Sequence, residues 1–232
     1  MKNNTLRLDI SRQPNDSTCG PTSLHAVYQF FNDSISLEEV IDSIEYLESG
    51  GTLAVMLGID ALKKGYQVEV ITFNLKVFDP SWFHDEDIDL VQKLKEQLKY
   101  KKTSKVKQAS KAYIQFIENG GKITYKTLNK DLLHSYLIQD IPILTGLSAT
   151  YLYNEKREFG DPVRYDDVKG YPSGHFVVLS GINYDQNSIT VADPLHANPF
   201  ESQNYLVDID HLICAILLGV ITYDANLLII QK

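Results

Sequence analysis

Residues 12–31 read RQPNDSTCGPTSLHAVYQFF, and within them Cys19 sits in a Cys-Gly-Pro turn directly ahead of apolar residues at helical spacing. A thiol attacks carbonyls only as thiolate, and a helix N-terminus favours that form through its free N–H groups and the positive end of its dipole. Thr18 or Ser17 suits the N-cap, Pro21 fits a first turn whose N–H groups lack intrahelical partners, and Gly20 leaves room for a substrate backbone. A small buried side chain is the competing reading of Cys19. Its meaning therefore depends on what the remaining chain supplies.

Acyl-transfer chemistry needs a base for the thiol, a group that orients the base, and donors for the developing oxyanion. Gln13 stands six residues before Cys19, across a Pro14-Asn15-Asp16-Ser17 turn that can fold its amide back over the sulfur. His175 opens the β-prone run in SGHFVVLSGINYDQNSITVADP, just after Gly174, and Asp193 closes the strand that follows. A turn near Tyr184 to Asn187 makes those two strands a hairpin, which brings Asp193 within a few positions of His175. Pairing register is not readable at this level.

Around these motifs the chain changes texture. Helices are expected over Ser23–Phe31, over Ser36–Leu47 with SLEE as a capping box, and over Thr52–Lys64 with Gly65 as stop, followed by a strand at Gln67–Phe73. Residues 79–121 run from DPSWFHDEDIDL into a lysine-rich stretch and read as an inserted helical hairpin. A helix near Leu128–Leu137 precedes strands at Ile141–Leu147, His175–Ile182, Ser188–Asp193, Tyr205–Val207, Gly219–Tyr223 and Leu227–Ile230. Helices first and closely spaced strands later make the class α+β with a mostly antiparallel sheet. The expectation is one domain over residues 1–232, with the helical insertion at about 79–121.

The order Gln, Cys, His, Asp, carried by QPNDSTCGP, GHFVVLSG and ITVADP, resembles papain-like cysteine peptidases, specifically the bacterial C39-like branch. The resemblance implies a helical half carrying the cysteine, a sheet half carrying the histidine and aspartate, and a cleft between them. It implies Cys19 as nucleophile, His175 as general base and then acid, Asp193 as orienter and Gln13 as oxyanion donor. The motifs anchor about residues 10–50 and 140–225. Many C39 domains are fused to an exporter and clip double-glycine leaders; this sequence holds neither a membrane segment nor a P-loop, so that substrate is not carried over.

Composition bounds the alternatives. A net charge of −8 and a pI near 5.2 argue against a nucleic-acid binder as the overall identity and point to a peptide or small molecule as partner, while the peptidase resemblance implies a peptide or protein substrate. The 232 residues are 44% apolar, enough for a real core. The most apolar run, Leu212–Ile221, is half a membrane span, and Met1–Arg12 has no apolar signal region, so a soluble protein is expected, and the sparse cysteines make a reducing cytoplasm the expected location. Two cysteines are too few for a disulfide framework or a cysteine-based zinc site. No cofactor or metal is called for.

Cys214, flanked by apolar residues, is expected to be buried, and His25 to pack rather than react. The acidic run Asp85, Glu86, Asp87 and Asp89 after His84 reads as a helix start, and the eight lysines between Lys93 and Lys111 read as a solvated face. The long segment 146–174, rich in tyrosine, is expected to border the cleft. Three functions stay open: a thiol hydrolase acting on peptide or isopeptide bonds, an acyltransferase using the same site, and a binding module without turnover.

Overall fold

The computed structural model describes residues 3–48, 50–84, 88–160, 162–222 and 224–232. The first half holds β1 (Asn4–Thr5), α1 (Cys19–Phe30), α2 (Leu37–Ser43), α3 (Ala54–Lys63), β2 (Gln67–Thr72), a 3-10 turn at Pro80–Phe83, α4 (Leu90–Gln97) and α5 (Ser104–Glu118). Next come β3 (Lys122–Thr124), α6 (Lys130–Leu137), β4 (Ile143–Ser148), α7 (Ala149–Leu152), β5 (Glu158–Phe159) and β6 (Arg164–Tyr165). The chain ends with β7 (Gly174–Asn183), β8 (Ser188–Ala192), β9 (Asn204–Asp208), α8 (Ile209–Leu218), a 3-10 turn at Gly219–Thr222 and β10 (Asn226–Gln231).

Strands β3-β2-β10-β4-β7-β8-β9 form the main sheet in that order, with β1 added on β7, while β5 and β6 form a separate ribbon. The β2–β3 pair is parallel and the other ladders are antiparallel. The class is α+β. Helices cover both faces of the sheet, and the period-2 pleat explains why its central strands are almost continuously apolar. Val68, Val70, Leu144, Phe176, Val178 and Leu228 pack with α1, α3 and α5. Ile71, Ile143, Val177, Leu179, Leu227 and Ile229 pack with α6 and α8.

Local chemistry sets the helix ends. Ser36 and Glu39 close a reciprocal capping box at α2, as SLEE predicts. That helix stops at Ser43 instead of Leu47, because Ile44 turns extended and the chain folds back through a Leu47 N–H to Gly51 carbonyl bond of 2.9 Å. Asp89 caps α4 by accepting from the Gln92 N–H at 2.9 Å; Asp85, Glu86 and Asp87 lie outside the described residues. The α3 N-terminus takes its cap from far along the chain. The Ala54 N–H donates to Asp224 Oδ2 at 2.6 Å, fastening α3 to the start of β10.

At the C-terminal end one element appears where none was expected and one expectation is corrected. Residues 209–218 form a helix, α8, on which Ile209, Leu212, Ala215 and Ile216 are buried at helical spacing and Asp208 caps the N-terminus. The expected strand at Gly219–Tyr223 is a 3-10 turn over Gly219–Thr222, closed by an Asp224 N–H to Gly219 carbonyl bond of 3.1 Å; Tyr223 lies outside the described residues.

Candidate active site

The α1 helix begins at Cys19 itself. Neither Ser17 nor Thr18 caps it, contrary to expectation, because both side chains are spent on the preceding turn. Ser17 binds the Asn15 amide through its N–H at 3.0 Å and its hydroxyl at 2.8 Å. Thr18 Oγ1 donates to the Asn15 carbonyl at 2.9 Å. With no side-chain cap on the helix, its first N–H groups stay available beside the sulfur.

Gly20 is also re-read. It is buried, and a Cβ there would stand 2.6 Å from Thr52 Cγ2 and 3.2 Å from the Phe176 ring. The missing side chain lets α1 sit against the sheet and does not make room for substrate. Ser23 adds a tie, its hydroxyl donating to the Phe176 carbonyl at 3.2 Å. Through this packing on β7 the first residue of α1 is brought to the first residues of that strand.

Antiparallel pairing sets Leu179 opposite Val191 and Val178 opposite Ala192. Continued by one residue, this register places Asp193 diagonally across from His175 on the same face of the pleat. His175 Nε2 and Asp193 Oδ1 are 2.8 Å apart, with His175 7% exposed and Asp193 0%, so solvent screens the pair little. The Cys19 sulfur lies close enough to the His175 ring to favour its charged form. With Nε2 held by Asp193, Nδ1 is the nitrogen left for sulfur.

Burial opposes a charged His175, but the Asp193 charge and hydrogen bond, together with the Cys19 sulfur, outweigh it and push the imidazole up to about 10. Burial alone would raise Asp193. The His175 charge, with hydrogen bonds from His175, Tyr205 and the Leu195 N–H, holds its carboxyl below the usual range. The arrangement is a buried imidazole beside a carboxylate and a sulfur, both of which favour its charged form.

Gln13 joins the same group through backbone and side chain. Its N–H donates to the Pro194 carbonyl at 2.9 Å, one residue beyond Asp193, and its Nε2 donates to the Asn15 carbonyl at 3.0 Å. One N–H of that amide is thereby used and one remains. Gln13 and His175 both line a cleft of about 640 Å³, whose lining includes Ala149, Tyr153, Glu155, Glu158 and Tyr165 of the segment expected to border it. The four residues singled out in the sequence thus come together at one end of the sheet.

Two further residues join them without having been foreseen: Tyr153 and Tyr205 both donate to Asp193 Oδ2, at 2.8 and 2.6 Å. The signal for Tyr205 was its even spacing on β9; for Tyr153 nothing beyond a tyrosine-rich segment pointed there. Cys214, expected buried, is exposed on α8. His25 packs as expected, its Nε2 3.1 Å from the Ile35 carbonyl. Among the described residues no three His, Cys, Asp or Glu side chains gather into a metal-holding group, and no helix is long and apolar enough to cross a membrane.

A crystal structure of a protein assigned as a C39-like peptidase, from Bacillus anthracis, shares the fold at a TM-score of 0.51 and 14% identity, covering 100% of this chain and 98% of that one. That likeness fits a papain-like architecture. No curated protein matches the chain in sequence. The family described as Peptidase_C39 like matches residues 5–208, a span that contains Gln13, Cys19, His175 and Asp193, and the chain belongs to that family.

Proposed function

We propose that the chain is a cysteine peptidase that hydrolyses a peptide or isopeptide bond through a thioester on Cys19. The observation that carries this reading is the buried His175 ring, tied to Asp193 at 2.8 Å and raised in basicity by Asp193 and by the neighbouring Cys19 sulfur. Cys19 is the nucleophile, His175 the general acid and base, Asp193 the orienter and Gln13 an oxyanion donor.

The Cys19 thiolate attacks the carbonyl carbon, and the oxyanion is held by the Cys19 N–H and the unused N–H of Gln13. As the C–N bond breaks, imidazolium His175 gives its proton to the leaving amine. Neutral His175 then takes a proton from water, whose oxygen attacks the thioester. Cys19 leaves as thiolate, the acyl group departs as a carboxylic acid, and the ion pair is restored.

The peptide lies along the cleft lined by Tyr153, Glu155, Glu158, Val163 and Tyr165, which choose the substrate. Residues 1–232 act as one domain, with 79–121 as an added helical hairpin. Free Cys19 and Cys214 suit a reducing cytoplasm. Incubating wild type and Cys19→Ala with a diverse peptide library, and reading products by mass spectrometry, tests the proposal. New termini are expected with wild type only; equal cleavage by both proteins removes Cys19 from the chemistry.

A further inference from the structure

A buried carboxylate offers about four acceptor sites, and in Asp193 all are taken. Oδ1 accepts from His175 Nε2 and from the Leu195 N–H, both at 2.8 Å, and Oδ2 accepts from the Tyr153 and Tyr205 hydroxyls. The two phenols arrive from different parts of the chain. Tyr205 lies opposite Val191 in the β8–β9 ladder, so the pleat puts it on the face that Asp193 shares. Tyr153 follows α7, on the segment that walls the cleft. Phe200 stacks on the Tyr205 ring at 3.9 Å and meets Tyr153 edge-on at 6.3 Å, holding both rings in place. Burial and the Asp193 charge keep both phenols protonated, so each remains a donor.

We propose that Tyr153 and Tyr205 are positioning residues of this site: their hydroxyls keep the Asp193 carboxylate ionised and oriented toward His175. The proposal rests on the roles given above to Cys19 and His175. A buried carboxylate oxygen without donors favours protonation or rotation, and either would release the imidazole from its partner. Tyr153 adds a second consequence, because it links the wall that meets substrate to the carboxylate that orients the base. The titratable groups facing Asp193 are His175 from β7, Tyr205 from β9 and Tyr153 after α7, with the Cys19 thiol beyond the imidazole.

The test is the rate of Cys19 alkylation by iodoacetamide, read by peptide mapping from about pH 3 to about pH 8, in wild type, Tyr153→Phe, Tyr205→Phe and the double variant. Removing a donor raises Asp193, so the carboxylate protonates, and His175 loses its partner, at higher pH. The low-pH limb is expected to move up by about one unit in each single variant and further in the double. A merely structural role would leave that limb in place. Tyr153 is only half-buried, so Tyr153→Phe supplies the result should Tyr205→Phe fail to fold. Both variants keeping the wild-type limb, while wild-type Cys19 outpaces exposed Cys214, overturns the positioning role alone. Wild-type Cys19 reacting no faster than Cys214 overturns the reading of Cys19 beneath it.

Discussion

Asp193 and Asp224 are both buried carboxylates in one fold, and they are driven in opposite directions. Each loses the solvation that favours its charge. Asp193 recovers it from the His175 cation and from three further hydrogen-bond donors, and is held below its usual range. Asp224 has the Ala54 N–H and the Asn226 amide as its donors, so burial wins and pushes it up to about 7. Burial therefore does not decide whether a carboxylate is charged; the neighbouring cation and the number of donors do. One aspartate belongs to the proposed site at the sheet end, and the other fastens α3 to β10.

The largest effect that separates them is catalytic. Replacing Asp193 by Asn removes the charge that holds His175 near 10 and should cut peptide cleavage by on the order of 10³, with the fold retained. Asp224→Asn should leave cleavage within about twofold, since its amide oxygen can still accept from the Ala54 N–H. Kinetics on a cleaved library peptide compare the two. Equal losses would erase the distinction between a site carboxylate and a structural one.

A smaller effect is read in stability against pH. The folded value of Asp224 lies above the unfolded carboxylate value of about 3.9, so the native state binds more protons between the two. Stability from this group falls as pH rises from about 4 to about 7, by up to roughly 4 kcal/mol. Of the other pair, Asp193 has the opposite sign and His175 the same sign, at higher pH. Asp193, lowered, contributes stability above about pH 4 that is lost as pH falls through its folded value. His175, raised, contributes stability below about pH 6.5 that is lost as pH rises through about 10. Urea midpoints between pH 4 and pH 7 should therefore slope downward in wild type and flatten in Asp224→Asn. A slope that survives the substitution contradicts the assignment.

Features set by short-range pattern were legible in the sequence. The α2 capping box, the strand at Gln67, the β7–β8 hairpin and the α+β class follow from caps, turns and apolar spacing within a few residues. Features set by distant partners were not. Gly20 looked like room for substrate until Thr52 and Phe176 packed against it. Helix α8 was hidden because its run is too apolar to display a polar face, although Asp208 and the spacing of Ile209, Leu212 and Ile216 marked it. The same helical period turns Cys214 outward despite apolar neighbours. That Gln13, Cys19, His175 and Asp193 are candidates for one site was legible in their order and motifs, and the fold gathers them at one end of the sheet. The clasp of Tyr153 and Tyr205 was not legible, since it needs both the β8–β9 register and the closure of a distant segment onto Asp193.

The central claim is that the Cys19 sulfur is paired with the His175 imidazolium, and the two cysteines provide an internal comparison for testing it. Cys214 is the exposed thiol and Cys19 the partly covered one, so access alone favours labelling Cys214. An ordinary thiol is well under 1% thiolate at about pH 6. Brief treatment with iodoacetamide at that pH, followed by peptide mapping of wild type and His175→Ala, reads the pairing directly. The account predicts that Cys19 is alkylated at least about tenfold faster than Cys214 in wild type and loses that advantage in His175→Ala. Faster labelling of Cys214, or a Cys19 rate indifferent to His175, would contradict it.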